Sequence, residues 1–125
     1  MPTISPSPGA GAGATAAIQA DSSGLRGRLR VVTGTAPAAG AIALVTLDVQ
    51  LIADMDAWTA AQGFQNVVLS VAGDILLTPW TAPPVGCAFP VLAQLNGGLL
   101  TGFVIGSTAA LQAAKEYRFG WRVFT

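Results

Sequence analysis

Apolar and polar positions alternate with a period of two through several short stretches of this chain, separated by clusters of Gly, Pro and polar residues. The clearest is the segment 117–124. Tyr117, Phe119, Trp121 and Val123 alternate with Arg118, Gly120 and Arg122, which predicts a strand with one aromatic face. In Leu25–Thr33, Arg26, Arg28 and Arg30 recur at every second position and share one face of a second strand. The polar turn Asp21-Ser22-Ser23-Gly24 precedes it, and Gly34–Gly40 reads as a loop by composition. Ala41–Leu47 predicts a strand in which Ile42, Leu44 and Thr46 share a face. Asn66–Val71 and Ile75–Thr78 read as strands around an Ala72-Gly73-Asp74 turn. Cys87–Leu95 also reads as a strand, with Pro90 favouring an edge or a bulge. Asn96-Gly97 signals a hairpin into a returning strand at Leu99–Ile105.

Two stretches break the period. Leu51, Ile52, Met55 and Trp58 have helical spacing, so 48–63 predicts a short helix or structured loop ending at Gly63. Gly106–Ala114 is a connection with modest helical character. Residues 1–14, MPTISPSPGAGAGA, offer proline against helix and little to bury, which predicts a flexible or extended N-terminal arm. Seven or eight short strands with frequent turns predict an all-β fold: a single β-sandwich or jelly-roll-like domain over 15–125, preceded by the arm.

Composition sharpens this picture. The chain has 125 residues, formal net charge zero, and only 10% charged side chains against 52% hydrophobic ones. Soluble surfaces usually carry about 25–35% charged residues. Too few charges for the chain's own surface imply that other protein covers part of it, so self-association is expected. Zero net charge gives no footprint for nucleic acid. No apolar run reaches the roughly 18–20 residues of a membrane span, and the N-terminal stretch lacks the basic and apolar regions of a signal peptide.

The residues that carry chemistry are sparse. The chain has no histidine, so the usual general base and commonest metal ligand are missing. Its single cysteine, Cys87, reads as a small buried hydrophobe. Asp54-x-Asp56 lacks the oxygen-rich loop of a calcium site. Gly9–Gly13 lacks the strand before it and the Gly-Lys-Ser/Thr after it that a phosphate loop needs. Lys115 is the only lysine and lies beside Glu116, a poor setting for a Ser–Lys dyad. No enzyme, no cofactor and no metal site are expected. The arginine ladder Arg26, Arg28 and Arg30 has three readings, in order: a solvated strand face, pairing with acids across a subunit boundary, and a nucleic-acid stripe. Trp80, in a proline-rich loop, is the best candidate for an exposed contact, whereas Tyr117, Phe119 and Trp121 fit core packing or a subunit interface.

Several motifs resemble a known family. The run Gly13-Ala14-Thr15-Ala16, then Ala20-Asp21-Ser22-Ser23-Gly24, then Thr33-Gly34-Thr35-Ala36-Pro37-Ala38-Ala39-Gly40-Ala41 is similar to a β-sandwich module of tailed-bacteriophage virion proteins. In that module a GTD-x-x-G turn precedes a strand, and a TGT-x-P-x-x-G loop leads to a strand ending in VTF, where this chain has Val45-Thr46-Leu47. Ala110-Leu111 and Tyr117-Arg118-Phe119-Gly120-Trp121 resemble its AL-x-x-x-x-x-Y-x-F-x-W final strand, and Ile75–Pro79 its VVLTP strand. The resemblance covers the two ends well and the middle loosely, and residues 48–63 depart from it. It implies a capsid decoration (cement) protein, commonly trimeric, on the capsid surface of the virion. Such a protein would bridge capsomers of the major capsid protein, with no nucleic-acid or membrane partner. Expected capsid or subunit contacts are Pro2, Thr3, Ile4, Pro6 and Pro8 of the arm, Arg26, Arg28, Arg30, and Tyr117, Phe119 and Trp121. The alternative is a head-fibre or tail-fibre module binding a host surface glycan, with Trp80 and Trp58 as exposed aromatics.

Overall fold

The structure, a computed structural model, describes residues 2–22, 24–47, 75–96 and 99–123. Among these residues the regular elements are eight strands and one short 3-10 turn. The strands are β1 (Thr3–Pro6), β2 (Thr15–Ala20), β3 (Arg26–Val32), β4 (Gly40–Thr46), β5 (Ile75–Pro79), β6 (Val91–Asn96), β7 (Leu99–Ser107) and β8 (Glu116–Val123). They form two antiparallel four-stranded sheets, of order β1-β4-β7-β6 (sheet I) and β2-β3-β8-β5 (sheet II). The fold is the expected all-β sandwich. The expected helix or loop at 48–63, the strand at 66–71, the turn at 72–74, Asp54, Asp56 and Trp58 lie outside the described residues.

The alternation in the sequence becomes an inside and an outside. On β8, Tyr117, Phe119, Trp121 and Val123 are buried while Arg118 and Arg122 are exposed. On β3, Leu29 and Val31 are buried between exposed Arg26, Arg28 and Arg30. Sheet I supplies the opposing layer with Val45, Phe103, Ile105 and Leu100. The layers meet through aromatic rings. Phe103 of β7 lies 6.0 Å from Trp121 of β8, and Phe89, from the loop before β6, meets Phe119 edge-on at 4.9 Å. Ring pairs at such separations favour tilted and edge-to-face arrangements.

Three expectations are corrected. Residues 1–14 are not an arm apart from the body. Within them β1 is extended, but it pairs with β4 as an edge strand of sheet I, and the 3-10 turn Pro8–Ala10 then carries the chain across to sheet II. Ala10 is fully buried, and its carbonyl accepts from Gly34 N–H at 2.9 Å. The edge tolerates proline because one row of its backbone groups has no ladder to complete. Gly9 fits because the Ala41 carbonyl comes so close that a Cβ would sit 2.3 Å from it.

The second correction concerns β4. Ile42 does not share a face with Leu44 and Thr46. The β4–β7 register shifts between Ala41 and Ala43, so Ile42 and Ala43 are both buried while Leu44 and Thr46 point out. Such a bulge places two residues opposite one and turns the side chains beyond it to the other face.

The third concerns Gly106–Ala114, expected as a connection with modest helical character: Gly106 and Ser107 complete β7, and the connection beyond them has bends and a turn but no helix, with Ala114 at φ 52°.

Candidate functional site

The outer face of sheet II gathers every arginine of the protein. Arg26, Arg28 and Arg30 emerge from β3, and Arg118 and Arg122 emerge from the neighbouring β8. Register places Arg26 opposite Arg122 and Arg30 opposite Arg118. Like charges directly opposite each other destabilise a sheet, and two acids at the ends of the array offset this. Glu116 accepts from Arg30 Nη1 at 3.1 Å and from Arg118 Nε at 3.1 Å, with Arg118 Nη2 3.0 Å from the same carboxylate. Asp21, from the turn between β2 and β3, pairs with Arg26. Hydrogen bonds from Arg118 and then Arg30 hold the Glu116 carboxyl below the usual carboxylate range. Arg28 has no ion-pair or hydrogen-bond partner among the described residues.

Arg28 faces not another arginine but Gly120. The missing side chain at 120 is filled by Trp80, whose indole lies on the glycine. A Cβ there would come 2.9 Å from Cζ2 and 3.3 Å from Nε1 of the ring. The backbone fixes Trp80 in place, because its N–H donates to the Arg118 carbonyl at 2.8 Å. The next residue, Thr81, accepts from Arg118 N–H through Oγ1 at 3.0 Å. Trp80 is therefore an extension of β5 along β8, not a free loop tip. The residue nonetheless remains 57% exposed. Clefts of about 370 Å³ and about 400 Å³ flank the ring, and Arg28 and Trp80 line both.

The outer face of sheet I is the opposite in character. One row of registered residues runs Ser5, Leu44, Val104, Leu92 across all four strands. Leu44 is 37% and Leu92 63% exposed. The adjacent row, Thr3, Thr46, Gly102 and Gln94, carries no charge either. Sandwiches commonly place polar residues on such an outward face. Among the described residues this face is uncharged and apolar along its centre.

The structure therefore sorts the expected contact residues into groups. Trp80, Arg26, Arg28 and Arg30 share one open face. Thr3, Pro6 and Pro8 are exposed along the β1 edge, with Ile4 half-buried and Pro2 buried. Tyr117, Phe119 and Trp121 are between 0% and 3% exposed inside the sandwich, which removes them as contacts with another molecule. Among the described residues no three His, Cys, Asp or Glu side chains come together as metal ligands. Cys87 is half-buried with its Sγ 3.1 Å from Ser107 Oγ. Sequence reasoning missed Leu44, Val104 and Leu92, because membership of one row depends on strand order. It also missed Gly120, although a glycine at an outward position between two arginines is a visible sign of something lying across the strand. No family model, no curated protein and no solved structure matches this chain.

Proposed function

We propose that the chain is a structural protein of a bacteriophage virion, a capsid decoration protein that associates as a homotrimer and bridges capsomers of the major capsid protein. The observation that carries the association is the outer face of sheet I. Its central row of Leu44, Val104 and Leu92 lies in uncharged surroundings, and depletion of charge at the core of a patch is what distinguishes protein-covered surface. Edge strand β1, with exposed Thr3 and Pro6 and with Pro8 just beyond it, adjoins that face and extends the contact. The virion setting rests on the motifs at the two ends of the chain that resemble the phage module. Function in this reading is thermodynamic: burying the uncharged face across subunit boundaries makes the assembled shell the stable state by mass action.

Sedimentation equilibrium over a range of concentrations, followed by binding of the purified protein to undecorated phage heads, tests the proposal. The expected result is a trimer that dissociates on dilution and saturates sites on the shell. A protein that stays monomeric at all concentrations and leaves the shells bare overturns it.

A further inference from the structure

Among the described residues the unpartnered arginine, the exposed tryptophan and the two clefts coincide on sheet II, a constellation specific enough to suggest a ligand. We infer that Trp80 and Arg28 form a binding site for a carboxylate-bearing sugar unit of an acidic glycan. The inference stands on this face alone and holds whether or not the chain belongs to a virion.

The chemistry of the site is divided between the two side chains. An indole that packs on Gly120 and remains 57% exposed presents an apolar plate to the C–H face of a pyranose ring. Arg28 Cα lies directly across the ladder from Gly120 Cα, about 5 Å away in an antiparallel pair. Arg28 and Trp80 line the same two clefts, so a molecule seated there meets both side chains. A guanidinium matches a carboxylate with two parallel N–H···O bonds. The plate needs little ordering on binding because its backbone is already bonded to β8.

Charge decides between classes of ligand. A single strand of nucleic acid needs a continuous positive groove with stacking aromatics. On this face Glu116 occupies the middle of the Arg30–Arg118 pair and Asp21 closes Arg26, so a phosphate backbone tracking across β3 and β8 would meet carboxylates at both ends. Among the described residues Arg28 has no such partner and shares both clefts with one ring, which suits an isolated carboxylate on a stacked ring. The clefts on either side leave room for the neighbouring sugars of a chain.

The test uses the full-length isotope-labelled protein, with the Trp80 indole N–H signal assigned from a Trp80→Phe variant. Three probes are titrated: a galacturonic acid trimer, its methyl ester, and a thymidine octamer. The expected result is that the acid trimer shifts the Trp80 indole signal, while the uncharged ester binds at least about tenfold more weakly, as loss of a charge-assisted pair implies. Arg28→Gln loses about the same factor with the rest of the spectrum unchanged, Arg28→Lys recovers part of it, and Trp80→Ala, read on the backbone amides of Gly120 and Arg28, abolishes binding. Equal binding of acid and ester, an unmoved Trp80 signal, or full affinity in Arg28→Gln overturns the inference. A stronger response to the thymidine octamer than to the trimer also overturns it and assigns the face to nucleic acid.

Discussion

Replacing Thr33 by valine should destabilise the fold by about 2 kcal/mol, and the reason is a single hydroxyl. Thr33 follows β3 directly and is 3% exposed. Its Oγ1 donates to the Gln112 carbonyl at 2.6 Å and accepts from Lys115 N–H at 2.9 Å, while its own N–H donates to the Lys115 carbonyl at 3.0 Å. These bonds fasten the crossing from β7 to β8 onto the end of β3. Valine preserves the shape and the backbone bond but deletes both hydroxyl bonds. Leaving a buried donor unpaired costs about 1–3 kcal/mol, and a lost ordinary hydrogen bond about 0.5–1.5 kcal/mol. The site is only part-buried, so water recovers some of this, and about 2 kcal/mol remains. An unfolding entropy of roughly 2.1 cal/mol/K per residue, over 125 residues, converts that loss to about 8 °C in Tm. Urea unfolding followed by far-ultraviolet circular dichroism, with calorimetry for Tm, reads both quantities. Thr33→Ser retains the hydroxyl and should lose only the methyl contribution, about 1 kcal/mol. A valine variant within about 0.5 kcal/mol of the parent, or a serine variant less stable than the valine one, refutes the reasoning.

Paired Leu44→Lys and Leu92→Lys substitutions put charge into the central row of sheet I. They should shift sedimentation equilibrium towards monomer while leaving the circular dichroism spectrum unchanged. Gly34→Ala would set a Cβ 1.8 Å from the Ala12 carbonyl oxygen, a backbone atom that cannot move aside, so this variant should lose several degrees in Tm or fail to accumulate as folded protein. Because hydrogen bonds from Arg118 and Arg30 hold the folded-state pKa of Glu116 below the ordinary carboxylate range, its ion pairs contribute stability above that range, and the contribution fades as pH falls through the folded pKa. The Tm difference between the parent and Glu116→Gln should therefore shrink between pH 6 and pH 3; an unchanged gap would remove the ion pairs from the account. Trp121 Nε1 is buried without a hydrogen-bond partner among the described residues, so Trp121→Phe forfeits packing but no hydrogen bond, and its urea midpoint should fall less than that of Trp121→Ala.

The parts of this fold legible in the sequence are those where side-chain period alone decides the outcome. The alternation at 117–123 needs no knowledge of neighbours to separate Tyr117, Phe119 and Trp121 from the arginines, and the ladder at 26, 28 and 30 is equally self-contained. The bulge at Ala41–Ala43 was not legible, because it depends on how β4 meets β7, and it reverses the facing of Ile42. The N-terminal segment was misjudged for a related reason. Its contribution to the core is mostly small residues, Gly9 and Ala10, which matter through close backbone approach rather than through apolar bulk. The candidate site divides the same way. Trp80 and the arginine ladder could be singled out, but that they share a face follows only from β3 and β5 flanking β8. The uncharged row on sheet I draws on four strands far apart in sequence, so no local window contains it.

The strand orders also determine when the sandwich can form. Each sheet is organised around a strand that comes late in the chain: β7 lies inside sheet I and β8 inside sheet II. Among the described strands, while only the first four have been synthesised, the available ladders are β1 with β4 and β2 with β3, two separate ribbons belonging to different sheets. Two-stranded ribbons are marginal in water, and neither has its aromatic partners from β7 and β8. The nascent chain must therefore carry unpaired strand edges until its final third emerges. Folding should then be slow for its size, because the contacts that close both sheets are long-range. Over that interval the exposed edges are open to pairing with other chains. For a protein made in quantity, yield would be governed by how quickly β7 and β8 are inserted between strands that have been waiting for them.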